Sequence, residues 1–104
     1  MIELGGNITL VGFKDIGFSE MVVIKKIIGN YARKITDKAG SMDNLTATVK
    51  PIHKNQEDDG CKYELHIKVI QKGKVFTTEV VDFNIFVAID TAMKKIFSEM
   101  KIND

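Results

Sequence analysis

The chain has 104 residues, of which 44% are hydrophobic and 28% are charged, and its formal net charge is +1. This length suits one domain, and this composition is typical of a globular protein rather than a disordered one. The near-neutral charge argues against a sequence-blind nucleic-acid coat protein, which is far more basic, but it leaves room for a local basic surface.

The sequence also bears on the compartment. No apolar run approaches the roughly 20 residues of a membrane span, and the N-terminus lacks the basic and apolar segments of a secretory signal. The one cysteine, Cys61, cannot form an internal disulfide, which argues against a disulfide-stapled secreted domain. We therefore predict a cytoplasmic protein with no membrane association.

The first part of the chain predicts one strand and one helix. A short extension, residues 1–6, precedes a β-rich strand over residues 7–13. A helix over residues 19–38 follows, with Ser19 as its N-cap and Gly40 as its terminator. Its apolar stripe has the spacing of three and four residues that marks a buried helix face, and it consists of Ile24, Ile27, Ile28, Tyr31 and Ile35.

The remaining elements are three strands and a second helix. Alternating residues predict a strand over residues 44–52, and a polar loop over residues 54–60 follows it. A second strand follows, in which Tyr63, Leu65, Ile67 and Val69 alternate with Lys62, Glu64, His66 and Lys68. Lys72-Gly73 then makes a tight turn into a third strand over residues 74–81. The last helix runs from about residue 84, where Asn84 can serve as its N-cap, to residue 100. Its apolar stripe consists of Ile85, Ile89, Ala92, Met93, Ile96 and Met100.

The predicted order is therefore β-α-β-β-β-α, an α+β fold with a core over residues 7–101. Two amphipathic helices cover one apolar face of a four-stranded sheet, since each strand has one apolar face to bury. The other face of the sheet is then in water. We place on it Thr46, Thr48, Lys50, Lys62, Glu64, His66 and Lys68.

The sequence gives little support for a metal site or a catalytic site. Residues 55–60 partly follow a calcium-binding loop, but its twelfth position holds His66 where a bidentate glutamate is needed. Cys61, His53 and His66 offer at most three zinc ligands in no known spacing. Neither an oxyanion segment nor a nucleotide-binding motif accompanies them. We therefore predict no catalytic residue, no metal and no cofactor, in a protein that is not an enzyme.

The first helix carries the most informative surface. At 100° per residue, the side opposite the apolar stripe holds Val22, Lys26, Gly29, Asn30 and Arg33, and Lys25 and Lys34 flank it. Basic groups around a bare glycine suit a phosphate backbone. An ordinary solvated face with one tolerated glycine explains the same pattern. The second helix shows a milder version, with Lys94 and Lys101 facing outward, where lysines also serve solubility.

Several segments resemble one family. Lys62 to Ile67 resembles its K-x-E-V-x-I strand, Lys72 to Lys74 its glycine-containing turn, and Asn84 to Ala92 its helix opening, with Lys95-Ile96 where the family has a K-L pair. Ile8 to Gly12 and the first helix resemble the family's first strand and helix. With the element order, these segments make the chain similar to the ribosome hibernation promoting factor and ribosome-associated inhibitor family, in its short form.

The resemblance implies a domain that docks in the decoding region of the small ribosomal subunit and inhibits translation in idle ribosomes. Basic residues on the helical side would meet ribosomal RNA, and the matching positions are Lys25, Lys26, Arg33, Lys34, Lys94 and Lys101. The alternative is a protein–protein module that is not an enzyme. Such a module would dimerise weakly, either through an edge strand or through the surface around Val22 and Gly29.

Overall fold

The computed structural model describes residues 2–52 and 62–102. Within them the chain forms an α+β fold of five strands and two helices. The elements are β1 (Ile2–Leu4), β2 (Ile8–Val11), α1 (Phe18–Ala39), β3 (Asn44–Ile52), β4 (Lys62–Gln71), β5 (Lys74–Asp82) and α2 (Ile85–Met100).

All strands belong to one mixed sheet with the order β1-β2-β3-β4-β5. β2 and β3 are parallel and are connected through α1, whereas the other three neighbouring pairs are antiparallel. The turn between β4 and β5 has positive φ at both Lys72 and Gly73, as a two-residue hairpin of type I′ requires. The predicted tight turn and the β3-β4-β5 meander are therefore confirmed.

The predicted count of four strands is wrong, because residues within the supposed N-terminal extension form β1. Ile2 pairs with Leu10 and Leu4 pairs with Ile8. Gly5 and Gly6, with φ of 65° and 85°, make the reversal between β1 and β2, since glycine adopts positive φ without a steric penalty. Three residues are too few for an alternation pattern to be recognised, and the pairing depends on an adjacent strand.

Both helices lie on the same face of the sheet, as predicted. α1 contacts α2, and α2 packs on β4 and β5. One hydrophobic core joins the helices to the alternating inward residues of the strands, for example Leu10, Ala47, Ile67 and Val80. The strand residues between them point to the opposite, outer face. Each large apolar side chain buried between the two layers stabilises the fold by about 1.5–3 kcal/mol.

The local sequence predicted the caps at Asn84 and Gly40 correctly but the start of α1 incorrectly. Asn84 is the N-cap of α2, and its Oδ1 accepts from the amides of Phe86 and Val87 at 2.9 and 3.2 Å. Gly40 is the C-cap of α1, as predicted. The predicted N-cap Ser19 is wrong, because α1 begins at Phe18 and Gly17 occupies the cap position without a side-chain hydrogen bond.

Two long-range contacts position α1 against the sheet. The buried Gln71, at the end of β4, donates from Nε2 to the carbonyls of Ala39 and Gly40, both at 2.9 Å. Gly12 has a φ of 82°, and a Cβ there would lie 2.3 Å from the Val49 carbonyl oxygen. Only glycine fits where β2 leaves the sheet this close to β3. Both ends of the β2-α1-β3 unit are therefore constrained by tertiary contacts.

Among the residues that the structure describes, neither helix is long and apolar enough to cross a membrane.

Candidate nucleic-acid interface

All six basic residues predicted to meet RNA are exposed, and all belong to the helical layer. Lys25, Lys26, Arg33 and Lys34 lie on α1, Lys94 lies on α2, and Lys101 is the C-cap of α2. The layer presents them on its outer surface because the apolar stripes of both helices face the sheet. They do not form one patch but lie in three settings, and Lys94 borders two of them.

The first setting is the outer ridge of α1. Lys26 and Arg33 are seven residues apart, two helical turns or about 10.5 Å along the axis, and both are exposed. Gly29 lies between their levels, and a Cβ built there would meet nothing within 4 Å. A mid-helix glycine costs roughly 0.5–1 kcal/mol relative to alanine, and no close packing within the described part of the chain requires it. The ridge therefore offers two cations beside an open strip of backbone.

Lys25 and Lys34 occupy opposite flanks of α1. Nine residues at 100° each place them about 180° apart around the helix axis. Lys34 faces the side on which α1 meets α2, and Lys25 faces away from it. A single flat partner cannot contact both side chains equally, so only Lys26 and Arg33 form a continuous basic ridge with Gly29.

The second setting is the groove between α1 and α2. The Tyr31 hydroxyl of α1 donates a hydrogen bond to Asp90 of α2, and the Tyr31 ring packs edge-on against Phe97 with centroids 5.3 Å apart. Asp90 also forms an ion pair with Lys94, one turn further along α2, with Lys94 Nζ 3.0 Å from Asp90 Oδ2. Lys34 Nζ lies 5.6 Å from the centre of the Tyr31 ring. The groove thus brings together Lys34 and Lys94 from the predicted set.

An open cleft of about 220 Å³ lies over this groove, lined by Ile27, Asn30, Tyr31, Lys34 and Asp90. Asp90 makes the groove less basic than Lys34 and Lys94 alone would make it. The hydrogen bond from Tyr31 and the hydrogen bond and charge of Lys94 lower the pKa of Asp90 below its ordinary value, because they stabilise the carboxylate. The carboxylate is therefore ionised at neutral pH and offsets part of the positive charge in the groove.

The third setting is the outer face of α2. Lys94 and Lys101 are also two turns apart, and Val87, one turn before Asp90, is 46% exposed. Lys101 has a left-handed conformation with a φ of 61°, and its amide closes the helix on the carbonyls of Phe97 and Ser98. A cation at this end of a helix is favoured by the helix dipole, so Lys101 also has a purely structural explanation.

The outer face of the sheet holds a different cluster. Glu64 and His66 lie two residues apart on β4, and Glu79 is the cross-strand partner of His66 on β5. His66 Nε2 lies 3.3 Å from Glu64, and His66 Nδ1 lies 3.9 Å from Glu79. One donor atom from each residue falls within 4.8 Å of the other two, a set that can bind a divalent cation. Cross-strand pairing of a histidine with glutamates explains the same spacing.

Several sequence predictions lie outside the described residues. They concern Cys61, His53 and the acidic loop over residues 54–60. The predicted outer-face residues, in contrast, are described, and the exposed side chains among them are Lys50, His66 and Lys68.

Sequence reasoning missed Asp90 and Gln71 as partners of α1. Asp90 was visible as part of the Ala88-Ile89-Asp90 segment, but its contact with Tyr31 spans 59 positions of the chain. A scan against known protein families and a search of the curated proteins both find no match for this chain. The resemblance to the hibernation family therefore rests on the segments quoted for it and on the element order.

Proposed function

We propose that this chain is a ribosome-associated factor that contacts ribosomal RNA of the small subunit through its helical layer and inhibits translation in idle ribosomes. The observation that carries the proposal is the outer ridge of α1, where exposed Lys26 and Arg33 stand beside the open Gly29 backbone. The resemblance to the hibernation family supports the choice of ribosomal RNA among possible polyanions.

The charge of α1 is consistent with this role. The helix holds five basic residues, Lys25, Lys26, Arg33, Lys34 and Lys38, against the two acidic residues Glu20 and Asp37. A phosphate backbone selects such a surface because each contact releases condensed counterions, which makes binding weaken steeply with added salt. Contacts of this type set register and orientation rather than base sequence. We therefore expect a shape-selective, salt-sensitive interaction.

The test is co-sedimentation of the purified chain with small ribosomal subunits over a salt series. The Lys26→Glu/Arg33→Glu variant should lose at least tenfold in affinity, since two attractive phosphate contacts become repulsive. The matched control is Lys50→Glu/Lys68→Glu, which makes the same change of charge on the outer face of the sheet. Equal losses in the two variants would show that only total charge matters, and no loss in either would reject the α1 ridge.

The alternative function, a protein–protein module, has one observation in its favour. The first turns of α1 expose Phe18, Val22 and Val23, which are 85%, 48% and 44% accessible. Exposed apolar clusters mark protein interfaces. Binding to such a surface is insensitive to salt, so a partner captured equally well at low and high salt, and lost in Phe18→Ser, would favour this function over RNA.

A further inference from the structure

Among the residues that the structure describes, β5 is a long edge strand of the sheet with no strand paired on its outer side. It has nine residues, and only β4 pairs with it among the described strands. α2 contacts β5 on its inner face, where the buried Thr78 hydroxyl donates to the Ala92 carbonyl at 3.3 Å. The outward side chains include Val75 and Val81, which are 57% and 47% exposed. Natural edge strands of this length are usually blunted by central charges, proline or bulges, and the middle of β5 holds Glu79 alone.

The sequence of β5 is self-complementary about its centre. We propose that a second copy of this chain pairs with β5 through an antiparallel β5–β5 interface centred on Thr78. In this register Lys74 lies opposite the partner's Asp82, so both ends of the interface carry an opposite-charge pair. Val75 lies opposite the partner's Val81, and Phe76 lies opposite the partner's Val80.

The side-chain directions agree with this pairing. Lys74, Phe76, Val80 and Asp82 alternate with the outward valines and share the side of the sheet that α2 covers, as the register with β4 shows. Val75 and Val81 share the outer side. Each pair therefore joins residues of one face, as an antiparallel ladder demands.

Neighbouring registers lose this match. A shift of the centre to residue 77 places Lys74 opposite the partner's Val80 and Val75 opposite the partner's Glu79. A shift to residue 79 places Phe76 opposite the partner's Asp82. A shift of the centre by half a residue joins inner to outer faces, because side chains alternate with a period of two. Only the register centred on Thr78 pairs charge with charge and apolar side chain with apolar side chain.

The other edge strand of the sheet, β1, is too short for a comparable interface. β1 has three residues, Ile2–Leu4, and its central side chain is Glu3. Three residues provide too short a ladder for a stable interface. A second copy is thus the occupant that β5 favours. The two-fold axis would be perpendicular to the sheet, and both helical layers would lie on the same side of a ten-stranded sheet.

This proposal does not rest on the proposed RNA contact, because it uses a different surface. The test is sedimentation equilibrium of the full chain over a range of concentrations, with Lys74→Asp, Asp82→Lys and the double variant. Each single change places like charges opposite each other at both ends, and we expect the dimer dissociation constant to rise about tenfold. The double variant restores both pairs in reversed order and should regain dimerisation.

A thermal melt of each variant separates loss of pairing from loss of folding, since Asp82 also accepts from the Asn84 amide at 2.9 Å. Val75→Thr gives a second route, because it weakens the apolar pair while keeping a β-favouring side chain. A chain that is monomeric at all concentrations, or a dimer unaffected by the single charge reversals, would overturn the proposal. A dimer lost in Val22→Glu but kept in Lys74→Asp would assign the interface to α1 instead.

Discussion

The two outer surfaces of this molecule carry similar residue types in opposite arrangements. On the helical layer, basic residues outnumber acidic ones, and Lys26 and Arg33 form a ridge without a carboxylate between them. On the outer face of the sheet, the cations and anions interleave: Lys50 is the cross-strand partner of Glu64, and His66 lies between Glu64 and Glu79. The net charge of +1 therefore does not reveal that positive charge is concentrated on the helical layer, a separation that the layered fold produces.

The contrast has a physical origin. Strand residues that point outward lie about 5 Å from a cross-strand neighbour, so opposite charges pair directly and like charges are disfavoured. Helix residues on an outer ridge have neighbours only at three and four positions along the same helix. A ridge of like charge costs little there and can serve a polyanionic partner. The groove between α1 and α2 lies between these extremes, because Asp90 offsets part of its lysine charge.

The largest expected effect concerns the support of the helical layer. Gly12→Ala should lower the free energy of unfolding by about 2–3 kcal/mol, because a Cβ there combines a positive φ with overlap on the Val49 carbonyl. Urea unfolding measures this change. An unchanged midpoint would mean that β2 leaves the sheet along a different path and that α1 is not held as described.

The second effect separates the two surfaces directly. Lys26→Gln/Arg33→Gln should reduce the slope of log affinity for small subunits against log salt by roughly 1.4–1.8, since two phosphate contacts are removed. Lys50→Gln/Lys68→Gln, the matched change on the sheet, should leave the slope unchanged. Titrations at four or more salt concentrations give both slopes, and equal reductions would erase the proposed distinction between the surfaces.

The third prediction sharpens the description of the ridge. Gly29→Ala should stabilise the chain by about 0.5–1 kcal/mol, because the added Cβ meets open space and alanine favours the helix. If an RNA backbone approaches Gly29 closely, the same variant binds small subunits more weakly despite its greater stability. A variant that gains stability and keeps full affinity would limit the contact to the flanking side chains.

The smallest effect concerns Asp90 in the groove. Its pKa is lowered in the folded state, so its carboxylate contributes stability above the unfolded pKa of about 3.9 and loses that contribution as the pH falls through the folded pKa. The Asp90 side chain is 44% exposed, so solvent screens its ion pair with Lys94, and Asp90→Asn should cost only about 0.3–0.5 kcal/mol at neutral pH. The difference from the unmodified chain should shrink below pH 4. Urea unfolding at pH 7 and pH 3 tests this, with Asp37→Asn as the control for a surface carboxylate, and a difference that grows in acid would contradict it.

Local pattern was enough for most elements. The alternation through Leu65, Ile67 and Val69 predicted β4, and the spacing of Ile24, Ile28 and Ile35 predicted the buried stripe of α1. Asn84 and Gly40 were recognisable as caps from local sequence. The Asn84 side chain accepts from amides two and three residues on, and Gly40 adopts the positive φ that ends a helix without a steric penalty. Ser19 was misassigned because a serine and a glycine two positions apart both satisfy the local signal, and the start of the helix is set by packing.

The candidate site was predictable as a set of residues but not as an arrangement. Helical periodicity placed Lys26, Gly29 and Arg33 on one face, and the structure shows open space where a side chain at Gly29 would lie. That Lys34 and Lys94 would meet around one carboxylate could not be predicted, because Tyr31 and Asp90 lie on different helices.

The sequence by itself determined the α+β class, both helices, the three-strand meander and the exposure of the basic side chains, since each follows from a period of 2 or 3.6 residues or from a cap. Tertiary structure alone decided the fifth strand, the hydrogen bonds of Gln71, the groove around Asp90 and the free edge of β5. These features depend on which segments become neighbours. Contacts between distant residues leave no periodic pattern in the chain, and a strand of three residues is too short to show one.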